Sequence, residues 1–168
     1  MENVILVDEL DNTIGTMEKL AAHQTGALHR AFSILLFNSQ GQLLLQKRAE
    51  SKYHCGGLWS NTCCSHPLPD ETTQDAAYRK LKQEMGIELR TTFAYKFIYK
   101  TSLDNHLIEY ECDHVFVGVF DGVPVINPNE VADWKFMNIT ELHQAIAQNP
   151  GSFTPWLKLM VTHEKLLN

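Results

Sequence analysis

Apolar residues recur along the chain in short runs whose spacing predicts β-strands. Residues 3–7 and 13–16 form two such runs on either side of a turn, which predicts a hairpin. Residues 31–37 are strongly apolar, and residues 42–45 repeat the pattern after a turn in which Gly41 supplies an unusual backbone angle. We therefore predict that these two later runs form a second hairpin at the centre of a sheet.

The second half of the chain contains further strand patterns, at residues 93–99, 108–120 and 133–137. The longest of them alternates with a period of two. The residues on one of its sides are Glu109, Glu111, Asp113, Val115, Val117 and Val119. Carboxylates here share a face with apolar residues that belong in a core, where unpaired charge is costly. This strand therefore points to a partner for Glu109 and Glu111.

The clearest helix signals surround residues 73–85. Thr72 and Asp75 have the spacing of a capping box, and Gly86 stands where a C-terminal helix cap belongs. We therefore predict a helix over residues 73–85. At 100° per residue, Glu84 falls at the edge of its buried face.

Weaker signals place helices elsewhere. Residues 17–22 suit a short helix or a loop, Thr140 opens another helix, and a last helix is predicted from Pro155 to about residue 166. This order of elements predicts an α/β or α+β sandwich with a mixed sheet packed between helices. At 168 residues the chain fits one domain, residues 1–168.

Charge and composition limit the function classes. The chain has no apolar run of membrane-spanning length and begins with the acidic, polar Met1-Glu-Asn, so we expect a soluble, cytoplasmic protein. A net charge of −6 argues against nucleic acid or an anionic membrane as partner, while a local basic pocket for a small anion remains open. The four cysteines form no C-x-x-C pairs, and we expect reduced thiols.

Imidazoles and carboxylates supply the strongest metal candidates, because together they suit a borderline divalent ion. These candidates are His23, His29, His66, Glu109 and Glu111. Taken singly, each has a plainer interpretation: a lone histidine is usually a surface or satisfied core residue, and Glu-x-Glu on a strand is usually a solvated face. A bound cation would offset the cost of the two inward-facing carboxylates.

The remaining chemical candidates also have plain alternatives. Cys64 suits a small buried apolar residue, and Tyr99 and Trp156 suit core aromatic residues. Lys80 and Glu84 have the spacing of an i,i+4 ion pair, which is worth a few tenths of a kcal/mol. Surface charge is the ordinary interpretation of the three further basic residues, Lys19, Arg48 and Lys52.

Taken together, the motifs resemble the type I isopentenyl diphosphate isomerases, metal-dependent relatives of the Nudix hydrolases. The segments that carry the resemblance are His29-Arg-Ala-Phe-Ser33, Trp59-Ser-Asn-Thr-Cys-Cys-Ser-His-Pro67, Glu84-Met-Gly86, Glu109-Tyr-Glu111 and Phe153-Thr-Pro-Trp156. They occur in order over nearly the whole chain, and the cysteine-containing segment is the most specific. The resemblance implies a Nudix-like fold and the interconversion of isopentenyl and dimethylallyl diphosphate through proton addition and elimination.

The resemblance also implies residue roles. It makes Cys64 and Glu111 the acid/base pair, assisted by the Tyr99 hydroxyl. It implies one divalent metal, Mn2+, Zn2+ or Mg2+, on five ligands: His23, His29, His66, Glu109 and Glu111. Glu84 would hold a second ion, Mg2+, against the diphosphate, and Trp156 would cover the hydrocarbon. The implied basic clamp is Lys19, Arg48, Lys52 and Arg79 or Lys80. We expect a monomer or weak homodimer acting on a small diphosphate.

Two departures bear on the alternatives. In a Nudix hydrolase box, Ser65, Lys80 and Gln83 would be Gly and two glutamates, so a diphosphate hydrolase is the less supported enzyme. A metal-stabilised module that binds diphosphates or a protein without catalysis is a third hypothesis. Gly56-Gly57 replaces the Pro-Gly frequent in these isomerases, which predicts a more mobile loop.

Overall fold

The computed structural model describes residues 2–163. Its strands are Asn3–Val7 (β1), Thr13–Glu18 (β2), His29–Phe37 (β3), Leu43–Arg48 (β4), Trp59–Ser60 (β5), Cys63–Ser65 (β6), Thr92–Ser102 (β7), Ile108–Val119 (β8) and Val131–Met137 (β9). Its α-helices are Lys19–Thr25 (α1), Thr73–Met85 (α2), Ile139–Gln148 (α3) and Pro155–Val161 (α4). Within this part of the chain, no helix has both the length and the apolar character needed to cross a membrane.

Strand β3 lies at the centre of a mixed sheet. It runs parallel to β8 along its full length, with His29 opposite Glu111. On its other side it pairs antiparallel with β6, where Ser33 lies opposite Cys64. The register of β3 therefore fixes the positions of residues from two strands that are distant in sequence.

Successive side chains of β3 pack into two hydrophobic clusters, one on each face of the sheet. Leu35 packs into a cluster with residues of α3 and α4, whereas Ile34 and Leu36 pack into a cluster with residues of α2. Strand β7 extends the sheet antiparallel to β8, and β4 pairs with β5 and β9. The predicted α+β sandwich, with a mixed sheet between helices, is confirmed.

The prediction that β3 and β4 pair with each other along a hairpin is wrong. The two strands share only the pair Phe37 and Leu43 beside the turn, and then separate because β3 pairs with β6 and β8 while β4 pairs with β5 and β9. The Thr62 hydroxyl bridges the gap. It accepts from the backbone N–H of Leu36 at 2.9 Å and donates to the carbonyl of Leu44 at 2.7 Å.

Helix α2 has the predicted bounds and caps. The Thr72 hydroxyl accepts from the backbone N–H of Asp75 at 3.1 Å, and Gly86 ends the helix in the left-handed conformation with φ of 66°. A Cβ at Gly86 would lie 2.4 Å from the carbonyl oxygen of Val125, so close approach also requires glycine there. Glu84 is only 4% exposed, in agreement with its predicted position at the buried face.

Other predicted boundaries need correction. Helix α1 begins at Lys19, where the Glu18 carboxylate accepts from the backbone N–H of Ala21, and it includes His23. Asn138 rather than Thr140 precedes α3. Helix α4 ends at Val161, and residues 164–166 of its predicted extension lie outside the described residues. Val119 is 66% exposed, because the sheet ends there and the apolar side of β8 leaves the core.

Candidate active site

Most of the predicted site residues line one pocket. These lining residues are Lys19, Arg48, Lys52, Cys64, His66, Lys80, Glu84, Glu109, Glu111 and Trp156. His23, His29 and Tyr99 are buried behind the lining, each in contact with a residue that forms it. Arg79 does not join them, because it faces Glu71 and makes two contacts of 2.7 Å with that carboxylate. The structure therefore favours Lys80 over Arg79 as a basic residue of the pocket.

Four buried side chains converge at one side of the pocket. One ligand atom each of His23, His29, His66 and Glu111 lies within 4.8 Å of the others. Their convergence follows from the sheet, since β3 places His29 opposite Glu111 and β6 leads into His66 beside them. Helix α1 then brings His23 to within 4.9 Å of His29, measured between ring centroids.

Backbone contacts orient two of these imidazoles. Nδ1 of His23 lies 2.7 Å from the carbonyl oxygen of Lys19, and Nδ1 of His29 lies 2.8 Å from that of Ala27. Each Nδ1 must donate its proton to the carbonyl, so each Nε2 is left with a lone pair. Neither Nε2 has a hydrogen-bond partner within residues 2–163, although both are buried.

His66 completes the cluster with a different orientation. Its Nε2 lies 2.8 Å from Oε1 of Glu111. Burial lowers the pKa of His66 to about 3, and burial likewise lowers the pKa of His23. Neutral imidazoles with unpartnered nitrogens, next to a buried carboxylate, fit a divalent cation.

Glu109 stands apart from that cluster. It belongs to an overlapping group with His23 and His54, whose ligand atoms also lie within 4.8 Å of one another. Burial, and then the charge of Glu111, raise the pKa of Glu109 well above its ordinary value. Burial opposes the ionisation of Glu111, but the neighbouring imidazoles outweigh burial and hold the pKa of Glu111 well below its ordinary value. Two neighbouring carboxyl groups thus differ in proton affinity.

The two predicted acid/base groups face the same pocket from opposite sides of β3. Cys64 comes from β6 and Glu111 from β8. Tyr99, opposite Glu111 on β7, donates to Oε2 of its carboxylate at 2.7 Å. Burial raises the pKa of the Cys64 thiol to about 12, so the thiol is protonated at neutral pH in this structure. Cys63 points the other way, into the core beneath α2.

The pocket cations are paired with glutamates. Lys80 lies 3.1 Å from Glu84, and Lys19 lies 3.5 Å from Glu2. Lys52 forms an ion pair with Glu130. Burial lowers the pKa of Lys80, but the charge of Glu84, its hydrogen bond and other acidic groups nearby together outweigh burial, so the pKa of Lys80 is above its ordinary value.

Arg48 and Trp156 define another wall of the pocket. The Arg48 guanidinium carbon lies 5.4 Å from the centre of the Trp156 ring. The Trp156 indole N–H donates to the Ser60 hydroxyl at 2.9 Å and to Oδ1 of Asn61 at 3.2 Å. These bonds fix the plane of the indole from within the Trp59 to Pro67 segment.

Sequence reasoning missed several lining residues, namely Glu2, Ser33, Tyr53, His54 and Glu130. Tyr53 and His54 directly follow Lys52, so a polar aromatic pair beside a predicted pocket residue was the available signal. Glu130 carries no such signal, because only the pairing of β9 with β4 brings its loop to Lys52.

Known proteins resemble this chain over most of its length. The NUDIX domain family matches residues 27–157. The isopentenyl-diphosphate Delta-isomerase 2 of Aromatoleum aromaticum is 53% identical over 156 residues, 93% of this chain and 82% of that protein. The isopentenyl-diphosphate Delta-isomerase of Pectobacterium atrosepticum is 52% identical, over 95% of this chain and 89% of that protein.

Solved structures share the fold. The crystal structure of DR0079 from Deinococcus radiodurans superimposes with a TM-score of 0.74 at 22% identity and covers 94% of this chain and 96% of its own. A MutT NUDIX hydrolase from Burkholderia pseudomallei gives a TM-score of 0.62 at 18% identity and covers 80% and 95%. The fold, the order of the site motifs and the identity to curated relatives lead to one conclusion: the chain belongs to the NUDIX family, within its isopentenyl-diphosphate Delta-isomerases.

Proposed function

We propose that this chain interconverts isopentenyl diphosphate and dimethylallyl diphosphate. The observation that carries the proposal is the position of Cys64 and Glu111, which enter one pocket from strands on opposite sides of β3. Moving a terminal double bond inward requires a proton added at one carbon and another removed two bonds away. Two proton-transfer groups on separate strands suit that task.

The surroundings suit a carbocation intermediate. Protonation of an alkene leaves a tertiary cation, which water would trap, and Trp156 is only 2% exposed beside the pocket. The face of a desolvated indole stabilises a cation by about 2 kcal/mol. The Tyr99 hydroxyl would hold the Glu111 carboxyl group in position and take part in its proton transfer.

The imidazole cluster fits a divalent cation, Mn2+, Zn2+ or Mg2+, held by His23, His29, His66 and Glu111 with Glu109 beside them. Such an ion would supply a fixed positive charge next to Glu111. Among the chain's own residues, His66 would orient one oxygen of that carboxylate and Tyr99 the other.

The diphosphate would bind among the pocket cations. Lys19, Lys52 and Lys80 line the pocket, and Arg48 joins them beside Trp156. Glu84 would hold Mg2+ against the phosphate oxygens, since Mg2+ is usually bound through one or two carboxylates plus substrate phosphates. Contacts to this non-reacting group can supply binding energy that orients the small hydrocarbon. We propose a monomer or weak homodimer acting on this small molecule.

The test is incubation of the purified chain with isopentenyl diphosphate and Mg2+ in deuterated water, followed by NMR. We expect dimethylallyl diphosphate that carries solvent deuterium, with no product from Cys64→Ala. Cys112→Ala is the matched control, because Cys112 packs with Ile5 and Val7 away from the pocket. Release of phosphate or pyrophosphate would instead support the hydrolase, and unchanged but bound substrate would support a silent binding module.

A further inference from the structure

Three polar atoms without partners lie on three neighbouring buried side chains. They are Nε2 of His23, Nδ1 of His54 and Oε2 of Glu109, none of which has a hydrogen-bond partner within residues 2–163. The three side chains are at most 5% exposed. One ligand atom of each lies within 4.8 Å of the others. Burying an unsatisfied polar group is costly, so three together indicate a binding site for a ligand.

The backbone around His54 is held in place. The carbonyl of His54 accepts from the Arg48 guanidinium at 3.2 Å, and the carbonyl of Tyr53 accepts from Nδ2 of Asn105 at 3.2 Å. A Cβ at Gly56 would lie 2.6 Å from the carbonyl oxygen of Glu50, so the chain doubles back closely after His54. Glycine at 56 is therefore explained by this close approach.

Two aromatic rings fix the imidazole plane of His54. Its ring meets Tyr53 edge-on at a centroid distance of 4.4 Å and meets Trp156 edge-on at 5.9 Å. Both contacts hold the imidazole ring in place, and neither gives Nδ1 a hydrogen-bond partner.

We propose that His54 is an additional ligand, shared with His23 and Glu109, of the divalent cation in this pocket. The inference rests on the proposed cation binding and extends it to a residue outside the predicted five-ligand set. Two imidazoles and a carboxylate are a ligand set used by zinc sites that keep an open position. His23 offers only Nε2, since its Nδ1 bonds to Lys19, so one cation at a time can use His23.

The added imidazole has a consequence for metal preference. Imidazole suits Zn2+ and Co2+ better than Mg2+, which prefers oxygen ligands. Loss of His54 should therefore weaken Zn2+ and Co2+ binding more than Mg2+ binding. The expected stoichiometry in the absence of diphosphate is one Co2+ per chain.

The experiment is a Co2+ titration of the metal-depleted full chain without substrate, followed by visible absorption and by competition with a chromophoric chelator. We expect His54→Ala to weaken Co2+ and Zn2+ binding by about tenfold or more and to change the Co2+ spectrum. His143→Ala, which removes an imidazole of α3 that does not line the pocket, is the matched control and should change neither. Unchanged affinity and spectrum in folded His54→Ala would overturn the assignment.

A measurement on the unaltered chain covers the case in which His54→Ala does not fold. Long-range 1H–15N spectra of 15N-histidine-labelled protein should show Zn2+ shifting Nδ1 of His54, and a His54 ring unaffected by saturating Zn2+ would refute the proposal. The isomerase assay is independent. If the chain turns over substrate but the His54 ring is unaffected by Zn2+, only the assignment of His54 as a ligand is refuted. If the His54 ring shifts but there is no turnover, only the proposed isomerase activity is refuted.

Discussion

Tyr99 and Glu111 lie directly opposite each other on β7 and β8, and the phenol donates to Oε2 of the carboxylate at 2.7 Å. Oε1 of the same carboxylate lies 2.8 Å from Nε2 of His66. Glu111 therefore has one oxygen toward the imidazole cluster and the other toward a hydroxyl. This division would let a single side chain serve both of the roles proposed for it, cation binding and proton transfer.

We predict that Tyr99→Phe lowers kcat by roughly thirtyfold, because a hydrogen bond to a charged group is worth about 2 kcal/mol. Steady-state kinetics with isopentenyl diphosphate would measure the change. Tyr95→Phe is the matched control: Tyr95 is a buried residue of the same strand whose hydroxyl has no hydrogen-bond partner in the described chain. Equal rates for Tyr99→Phe and the control would contradict a role for the Tyr99 hydroxyl.

We predict that Glu111→Gln and Cys64→Ala each reduce turnover on the order of a thousandfold or more while the fold persists. The two variants should differ in cation binding. Glu111→Gln removes a ligand of the imidazole cluster, whereas Cys64 belongs to neither ligand group on the pocket. Calorimetric Zn2+ titration should therefore show weakened binding only for Glu111→Gln, and near-normal turnover in either variant would refute its role.

Gly86 and Gly41 allow two reasons for requiring glycine to be separated: a left-handed backbone and a lack of space for a Cβ. Both have positive φ, of 66° and 76°, but a Cβ at Gly41 would meet open space. Gly41→Ala should lower the free energy of unfolding by about 1–2 kcal/mol from the left-handed backbone alone. Gly86→Ala should cost more, because its Cβ would also lie 2.4 Å from the carbonyl oxygen of Val125. Urea denaturation of both variants measures the difference, and equal losses would refute the steric contribution.

Asp11 gives a prediction about pH. Burial raises its pKa, but hydrogen bonds from Lys96 and Arg30 outweigh this effect and lower the pKa from 3.8 to about 2. A carboxylate whose pKa is lower in the folded state stabilises the fold above its unfolded pKa and loses that contribution as pH falls. Asp11→Asn should therefore destabilise the chain by an amount that is constant above about pH 4 and shrinks toward pH 2.

Urea denaturation of Asp11→Asn and of the unaltered chain at several pH values measures that difference. Asparagine tolerates the left-handed backbone of Asp11, with φ of 69°, so the turn itself is kept. A stability difference that does not change between pH 6 and pH 3 would contradict the ion-pair account.

Local sequence signals predicted helix α2 correctly. The features that the sequence did not predict depend on pairing between segments that are distant along the chain. Thr72 and Gly86 act on backbone groups a few residues away, so their spacing alone bounds the helix. The β3–β4 hairpin failed because β3 pairs instead with β8, about 80 residues later. Separation along the chain also concealed His54, because its neighbours His23 and Glu109 come from α1 and β8.

The residues of the candidate site were predicted from motifs that occur in order along the chain. Only the fold shows which of two adjacent residues faces the pocket. Arg79 and Lys80 are adjacent on α2, but a step of 100° turns Arg79 to Glu71 and Lys80 to the pocket. No periodic pattern resolves that choice at the edge of a helix. The position of Glu84 at the buried edge could be predicted because Ala77 and Leu81 mark that side of the helix as apolar.

Lys19, Lys52 and Lys80 are each paired with a glutamate, so an anion can bind these lysines only by displacing a carboxylate. An incoming anion must replace carboxylates that already neutralise the lysines, so a simple monovalent anion gains little by entering. A diphosphate brings several charges on one group and so can compete with all three glutamates at once. Selectivity for the charge of a diphosphate would then come from its ability to displace these three carboxylates.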